Sequence, residues 1–232
     1  MTAPIGRFIE DPQAPRALQA KKLRASHRRR RGIYRSAVKR MADLLLVLLA
    51  APMVVPMVLM LAFMVSRKGG RPFYSQLRVG KDGKLFRMWK LRTMVVNADE
   101  LITGYLNSNP EAKEEWDRTQ KLRNDPRISE FGHFLRKSSL DELPQLWNVF
   151  KGDMSLVGPR PMLEYQQPLY PGLGYYALRP GLTGYWQVTE RNHASFAERA
   201  WYDDRYEEEL SLMNDLKVMY KTVDVVLKGT GV

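Results

Sequence analysis

LLLVLLAAPMVVPMVLMLAFMV, residues 44–65, runs for 22 residues without a charge. As an α-helix it would be about 33 Å long, enough to cross the hydrocarbon core of a bilayer. An unbroken apolar stretch of this length also exceeds what a soluble core requires, so the run predicts insertion into a membrane. How it inserts depends on its flanks and its interruptions. Lys39 and Arg40 precede it and Arg67, Lys68 and Arg71 follow it; a single crossing would leave one basic flank outside, against the positive-inside tendency. Pro52 and Pro56 each remove a backbone donor near the middle and favour a kink. A helix that enters, bends and returns to the same face reconciles the prolines with both basic flanks, and a kinked span is the alternative.

Charge is distributed unevenly around this segment. The 232 residues carry a formal +12, and residues 1–40, with 12 Lys or Arg and two acids, hold +10 of it. That segment lacks apolar periodicity and contains Pro12 and Pro15, which predicts disorder in its first half and an anionic partner, either nucleic acid or an acidic membrane surface. The absence of Cys rules out disulfides and thiolate metal sites. No small-residue cleavage site follows the apolar run, so a secretory signal is not expected.

Beyond the run, the Asp82-Gly83 turn between PFYSQLRVG and KLFRMWKL predicts a hairpin. Helices are expected over 97–107, 110–122 and 141–150, and the apolar face from Leu212 to Leu227 predicts another near the C-terminus. The tyrosines at 170, 175, 176 and 185, with Trp186, suit core packing at least as well as base stacking or a lipid interface. His27, His133 and His193 lack metal-ligand spacing, and no P-loop or dinucleotide glycine pattern is present.

SSLDELPQLWNVFKGDMSLVGPRP, residues 138–161, places Asp141 and Glu142 side by side in an otherwise apolar setting. Ser139 to Glu142 fits the S-x-x-E capping box of a helix start, which alone would account for the acids. Arg136, Lys137 and Arg160 nearby point instead to a phosphate site. Mg²⁺ prefers hard oxygen ligands and bridges carboxylates to phosphates, arginine forks match phosphate oxygens, and a carboxylate can itself attack phosphorus.

With KRMAD at 39–43, QLRVGKDGKLF at 76–86, KLRTM at 90–94, LRKSSLDELPQLWNVFKGDMSLVGPRP at 135–161, RPGLTGYWQV at 179–188 and Arg191-Asn192 in this order, the chain resembles the monotopic bacterial sugar transferases, or polyprenyl-phosphate phosphoglycosyl transferases. The resemblance implies transfer of a sugar 1-phosphate from a UDP-sugar to polyprenyl phosphate with release of UMP, at the cytoplasmic face of a bacterial inner membrane, initiating exopolysaccharide or other surface glycan synthesis. It assigns Asp141 as the nucleophile, Glu142 with Asp141 as ligands of Mg²⁺, and Arg136, Arg160, Arg191, Lys90 and Arg92 as phosphate-binding residues. Ala51 stands where this family often has a Ser before the bend proline. A basic tail stands where larger members carry a transmembrane bundle, so the chain resembles the compact form.

The expected fold is therefore mainly α with a small β-hairpin: a monotopic membrane protein with a basic segment 1–38, a re-entrant, proline-kinked helix 39–66 and one catalytic domain 67–232. Expected partners are the UDP-sugar, polyprenyl phosphate and anionic membrane lipids, not nucleic acid, with a homodimer left open. A membrane-tethered, Mg-dependent hydrolase of nucleotide-sugar diphosphates and a non-enzymatic basic adaptor are the rival readings.

Overall fold

The computed structural model describes residues 32–67, 69–119, 122, 124–189 and 196–227. The basic segment before residue 32 and Arg191 lie outside the described residues. A π-helical turn, Tyr34–Val38, leads into α1, Lys39–Ser66. There follow β1 (Phe73–Val79), β2 (Leu85–Leu91), α2 (Ala98–Ser108), α3 (Pro110–Thr119), α4 (Glu130–Lys137), α5 (Gln145–Lys151), β3 (Ser155–Val157), α6 (Gly174–Ala177), β4 (Gly181–Thr183), α7 (Tyr185–Thr189), α8 (Arg199–Glu208) and α9 (Leu212–Leu227). Helix outweighs strand, as the sequence predicts.

The hairpin forms at the expected place. β1 and β2 pair antiparallel from Phe73 opposite Leu91 to Val79 opposite Leu85. Asp82 and Gly83 take the positive φ angles, 59° and 76°, that reverse the chain, a conformation to which Gly and Asp are suited. A second pairing was not anticipated. β3 and β4 run parallel, with Ser155 beside Gly181 and Val157 beside Thr183. Three residues each are too short for an alternation signal, and the contact depends on glycine: a Cβ at Gly158 would lie 2.4 Å from the carbonyl oxygen of Arg179.

α1 is one helix through Pro52 and Pro56. It is long and apolar enough to cross a membrane, and most of its middle is exposed. Its two ends are not. Val47 packs with Phe86, Met88, Val149 and Met154, while Leu61, Ala62 and Val65 pack with Leu91 and Leu135. Polar anchors fix the first end. Asp43 accepts from the Ser155 hydroxyl at 2.7 Å and from the Leu156 amide at 3.1 Å. Arg40 donates to the carbonyls of Val149 and Phe150 at 2.6 and 2.8 Å, satisfying groups left open at the end of α5. Asp215 of α9 accepts from Lys39, Tyr34 and Tyr206, each at 2.6 Å. The KRMAD stretch is thus a set of side-chain ties between the apolar helix and the domain beside it.

A third cluster of the core is rich in tyrosine. Tyr170, Tyr175 and Tyr176 pack edge to face with centroids 5.4–6.5 Å apart and enclose Val79 and Met162, so the core-packing reading of these three tyrosines holds.

Candidate active site

The acidic pair does not begin a helix. Leu140–Glu142 is a single 3-10 turn, and α5 starts at Gln145, four residues later than the predicted 141–150. Ser139 sits in the left-handed region, φ 56° and ψ 17°, and its side chain caps nothing, so the capping box is absent. The reason lies in the leucines on either side. Leu140 and Leu143 pack with Phe131, Met57 and the buried end of α1, and that anchorage overrides the local cap signal. The turn carrying the acids is thereby fastened to the apolar helix α1.

Asp141 is 7 % exposed. Burial pushes its carboxyl above the usual aspartate range, and the neighbouring Lys90 opposes that shift without cancelling it. Lys90 Nζ lies 3.5 Å from Asp141 Oδ2 and 2.8 Å from Glu142 Oε1, and Arg160 lies 3.9 Å from the same Glu142 oxygen. One lysine therefore straddles both acids. Arg136 interacts electrostatically with Asp141, and burial lowers its own pKa; its Nε donates to the Thr93 hydroxyl at 2.9 Å.

Lys90, Arg160 and Glu142 line one cleft with Gln145 and Arg78. Arg78 was not singled out from the sequence, although it stands in the QLRVG stretch. Gln76, Arg78, Met88 and Lys90 share one face of the hairpin, since residues two apart on a strand, and residues opposite across it, point the same way. Arg78 donates to Gln76 Oε1 at 2.6 Å, while its buried Nε has no partner among the described residues. Burial, and then Arg160, lower its pKa. Like-charged side chains gathered beside the half-buried Glu142 are costly unless an anion joins them.

Of the other predicted residues, Arg92 is not brought to this cleft: just past the end of β2, its guanidinium donates to the carbonyl of Gly69 in the linker after α1. Arg160 has a support of its own. Arg199, buried against Trp186 and Phe196 with centroid distances of 5.0 Å each, donates to the Arg160 carbonyl at 2.6 Å. Its neighbour Asp203 accepts from the Tyr170 hydroxyl at 2.6 Å, and burial pushes the Asp203 carboxyl up to about 7.

Among the described residues no three acids or histidines group as a metal cluster. Two adjacent carboxylates are the protein share of many Mg²⁺ sites, the remaining ligands being water and phosphate oxygens; here Lys90 Nζ stands against both Asp141 and Glu142.

A buried Asp141 and a half-buried Glu142, with Lys90 and Arg160 within 3.9 Å, thus stand on a turn that packs against the apolar helix. Residues 34–229 match the family described as bacterial sugar transferase, and the chain belongs to that family. It is 49% identical over 196 residues to the UDP-galactose-lipid carrier transferase of Erwinia amylovora, covering 84% of this chain and 41% of that protein. It is 43% identical over 196 residues to the undecaprenyl-phosphate galactose phosphotransferase of Salmonella typhimurium, covering 84% and 41%. To the exopolysaccharide production protein ExoY of Sinorhizobium fredii it is 43% identical over 196 residues, covering 83% and 87%. The chain thus spans about two fifths of the length of the first two relatives and most of the third.

Proposed function

We propose that this protein is a phosphoglycosyl transferase that moves a sugar 1-phosphate from a UDP-sugar to polyprenyl phosphate and releases UMP, as a starting step of exopolysaccharide or related surface glycan synthesis. The observation that carries this reading is the position of Asp141: buried, flanked by Lys90 and Arg136, and held on a turn whose leucines pack against the apolar helix. The names of the relatives, which include a UDP-galactose-lipid carrier transferase and an undecaprenyl-phosphate phosphotransferase, agree with it.

In the proposed chemistry an Asp141 oxygen attacks the phosphorus bearing the sugar. The bond from that phosphorus to the UMP oxygen breaks, UMP leaves with its electron pair, and an aspartyl phosphosugar remains. An oxygen of polyprenyl phosphate then attacks the same phosphorus, giving a lipid diphosphosugar and restoring the carboxylate. Arg78, Lys90 and Arg160 offset the repulsion between an anionic nucleophile and an anionic diphosphate, in a cleft where such charges act more strongly than in water. Burial of Asp141 keeps water from competing. Glu142, with Asp141, would hold Mg²⁺, which when bound supplies further charge neutralisation at the phosphates.

The decisive test is purified protein with a panel of UDP-sugars, Mg²⁺ and polyprenyl phosphate, following UMP and the lipid product. Sugar 1-phosphate released into solution without a lipid product would replace transfer by hydrolysis. Two variants probe the roles. Glu142→Gln is expected to raise the Mg²⁺ concentration needed for half-maximal UMP release and to slow it; an unchanged Mg²⁺ curve would remove Glu142 from the ion site. In Lys90→Met the cation that holds the Asp141 carboxyl down is gone. Because the nucleophile must be ionised, the acidic limb of the rate profile should then move to higher pH, and a limb that stays in place would detach Lys90 from Asp141.

We also propose that α1 is re-entrant, with the catalytic domain at the cytoplasmic face of the membrane. Support comes from its two ends, both packed on one domain, an arrangement that a helix with its ends on opposite sides of a bilayer could not keep. Cys introduced at Ser36 and at Ser66 should react with an impermeant maleimide from the same side; labelling from opposite sides would establish a span.

A further inference from the structure

The transfer reading leaves open where the hydrocarbon of the acceptor goes. We propose that its isoprenoid tail lies in the apolar groove between α1 and α5, an inference that deepens the proposed function and rests on it. The groove, about 310 Å³, is walled on one side by α1 residues such as Ala51, Val54 and Val58 and on the other by Leu143, Trp147 and Phe150. No residue along it has a charged, hydroxyl or amide side chain, so a nucleoside or sugar placed there would leave its hydroxyls without partners.

Position selects among apolar ligands. The groove follows α1 from Val47 to Leu59, about 18 Å at 1.5 Å per residue, within the segment read as lying in the membrane. Leu143, which lines it, is next in sequence to Glu142, which lines the cleft of Arg78, Lys90 and Arg160. A cation-lined cleft one residue along the chain from an apolar groove matches a long-chain monoester of phosphate, anionic at its head and apolar thereafter. The aromatics of α5 fit the same role. Trp147 and Phe150 stack with centroids 5.5 Å apart and stand 56 and 40 % exposed, whereas Asn148 and Val149 beside them are fully buried. Exposed paired aromatics on a short helix mark a surface that meets an apolar partner. The neighbouring groove around Leu182 and Met219 also reaches Glu142 and Arg160, but Ser139, Thr183, Gln187 and Thr222 line it, which suits hydrocarbon less well.

The test uses the full chain in vesicles of phosphatidylethanolamine and phosphatidylglycerol, photolabelled with a polyprenyl phosphate that carries a diazirine in its tail, with adducts mapped by mass spectrometry. Adducts are expected within 47–59 and 143–150, suppressed about tenfold by unlabelled polyprenyl phosphate but not by the same concentration of added phosphatidylglycerol. Val54→Trp, which fills the groove, should reduce them about tenfold, and Ala51→Phe gives a second filling variant should the first misfold. Adducts around Leu182 and Met219 would overturn the assignment, as would equal suppression by phosphatidylglycerol, which would make the groove a site for bilayer lipid at large. UMP release by the same preparation reports separately on the reaction: competed labelling without UMP release upholds the tail site while the transfer reading falls.

Discussion

Asp141→Asn is expected to reduce turnover by roughly 10⁴-fold or more, the scale of loss when a covalent nucleophile is removed, and to leave no phosphosugar adduct detectable by intact mass. The amide has the shape of the carboxylate but not its nucleophilic charge. The same change should not weaken the fold. Burial raises the Asp141 carboxyl above its value in the unfolded chain. Such a group stabilises the native state fully below the unfolded pKa, and the contribution is lost as pH rises through the folded pKa. At pH 7.5 the ionised form is therefore a cost, and the Asn variant should melt at the same temperature as the parent or higher. An inactive variant that also melts well below the parent would mean that Asp141 is a structural residue, and substantial activity would exclude it as nucleophile.

Asn148→Ala is expected to destabilise the domain more than any other single change considered for this chain, by about 4 kcal/mol, since each buried polar group left unpaired costs about 1–3 kcal/mol. Asn148 is fully buried. Its Oδ1 accepts from the Trp89 amide at 3.0 Å, and its Nδ2 donates to the Arg87 carbonyl at 2.7 Å and to Asp153 Oδ2 at 3.1 Å. Those bonds tie α5 to β2, the strand that carries Lys90. The alanine variant would take this partner from two backbone groups of β2 and lower the melting temperature by roughly 10 °C for a domain of this size. Activity should fall with it, because α5 and β2 hold the acids and their lysine in register. A shift below about 2 °C would show that water replaces the side chain at this position.

Asn148 also illustrates why part of the architecture was not legible. In the sequence it is one polar residue in QLWNVFK, and nothing local distinguishes a side chain that bridges to a strand 59 residues away from one that faces water. The hairpin, α2, α3 and α9 were legible because turn chemistry and periodicity record which residues are buried, and burial is a property of each residue. Where two local signals competed, tertiary packing chose. Ser139 and Glu142 spell a helix cap, yet Leu140 and Leu143 bury themselves against α1, and the chain makes a 3-10 turn with Ser139 in the left-handed region.

By itself, the sequence determined the apolar helix with its basic flanks, the mainly helical character, the hairpin and an adjacent pair of acids beside arginines. Only the tertiary structure decided which cations meet those acids. Lys90 and Arg160 reach Glu142, Arg78 joins them from the same face of the hairpin, and Arg92, two residues beyond Lys90, turns to Gly69 instead. A hydrophobic side chain needs only to leave water, which a local pattern can encode. A charged one needs a particular partner at a few ångströms, and that distance exists only once segments far apart in the chain have closed on one another.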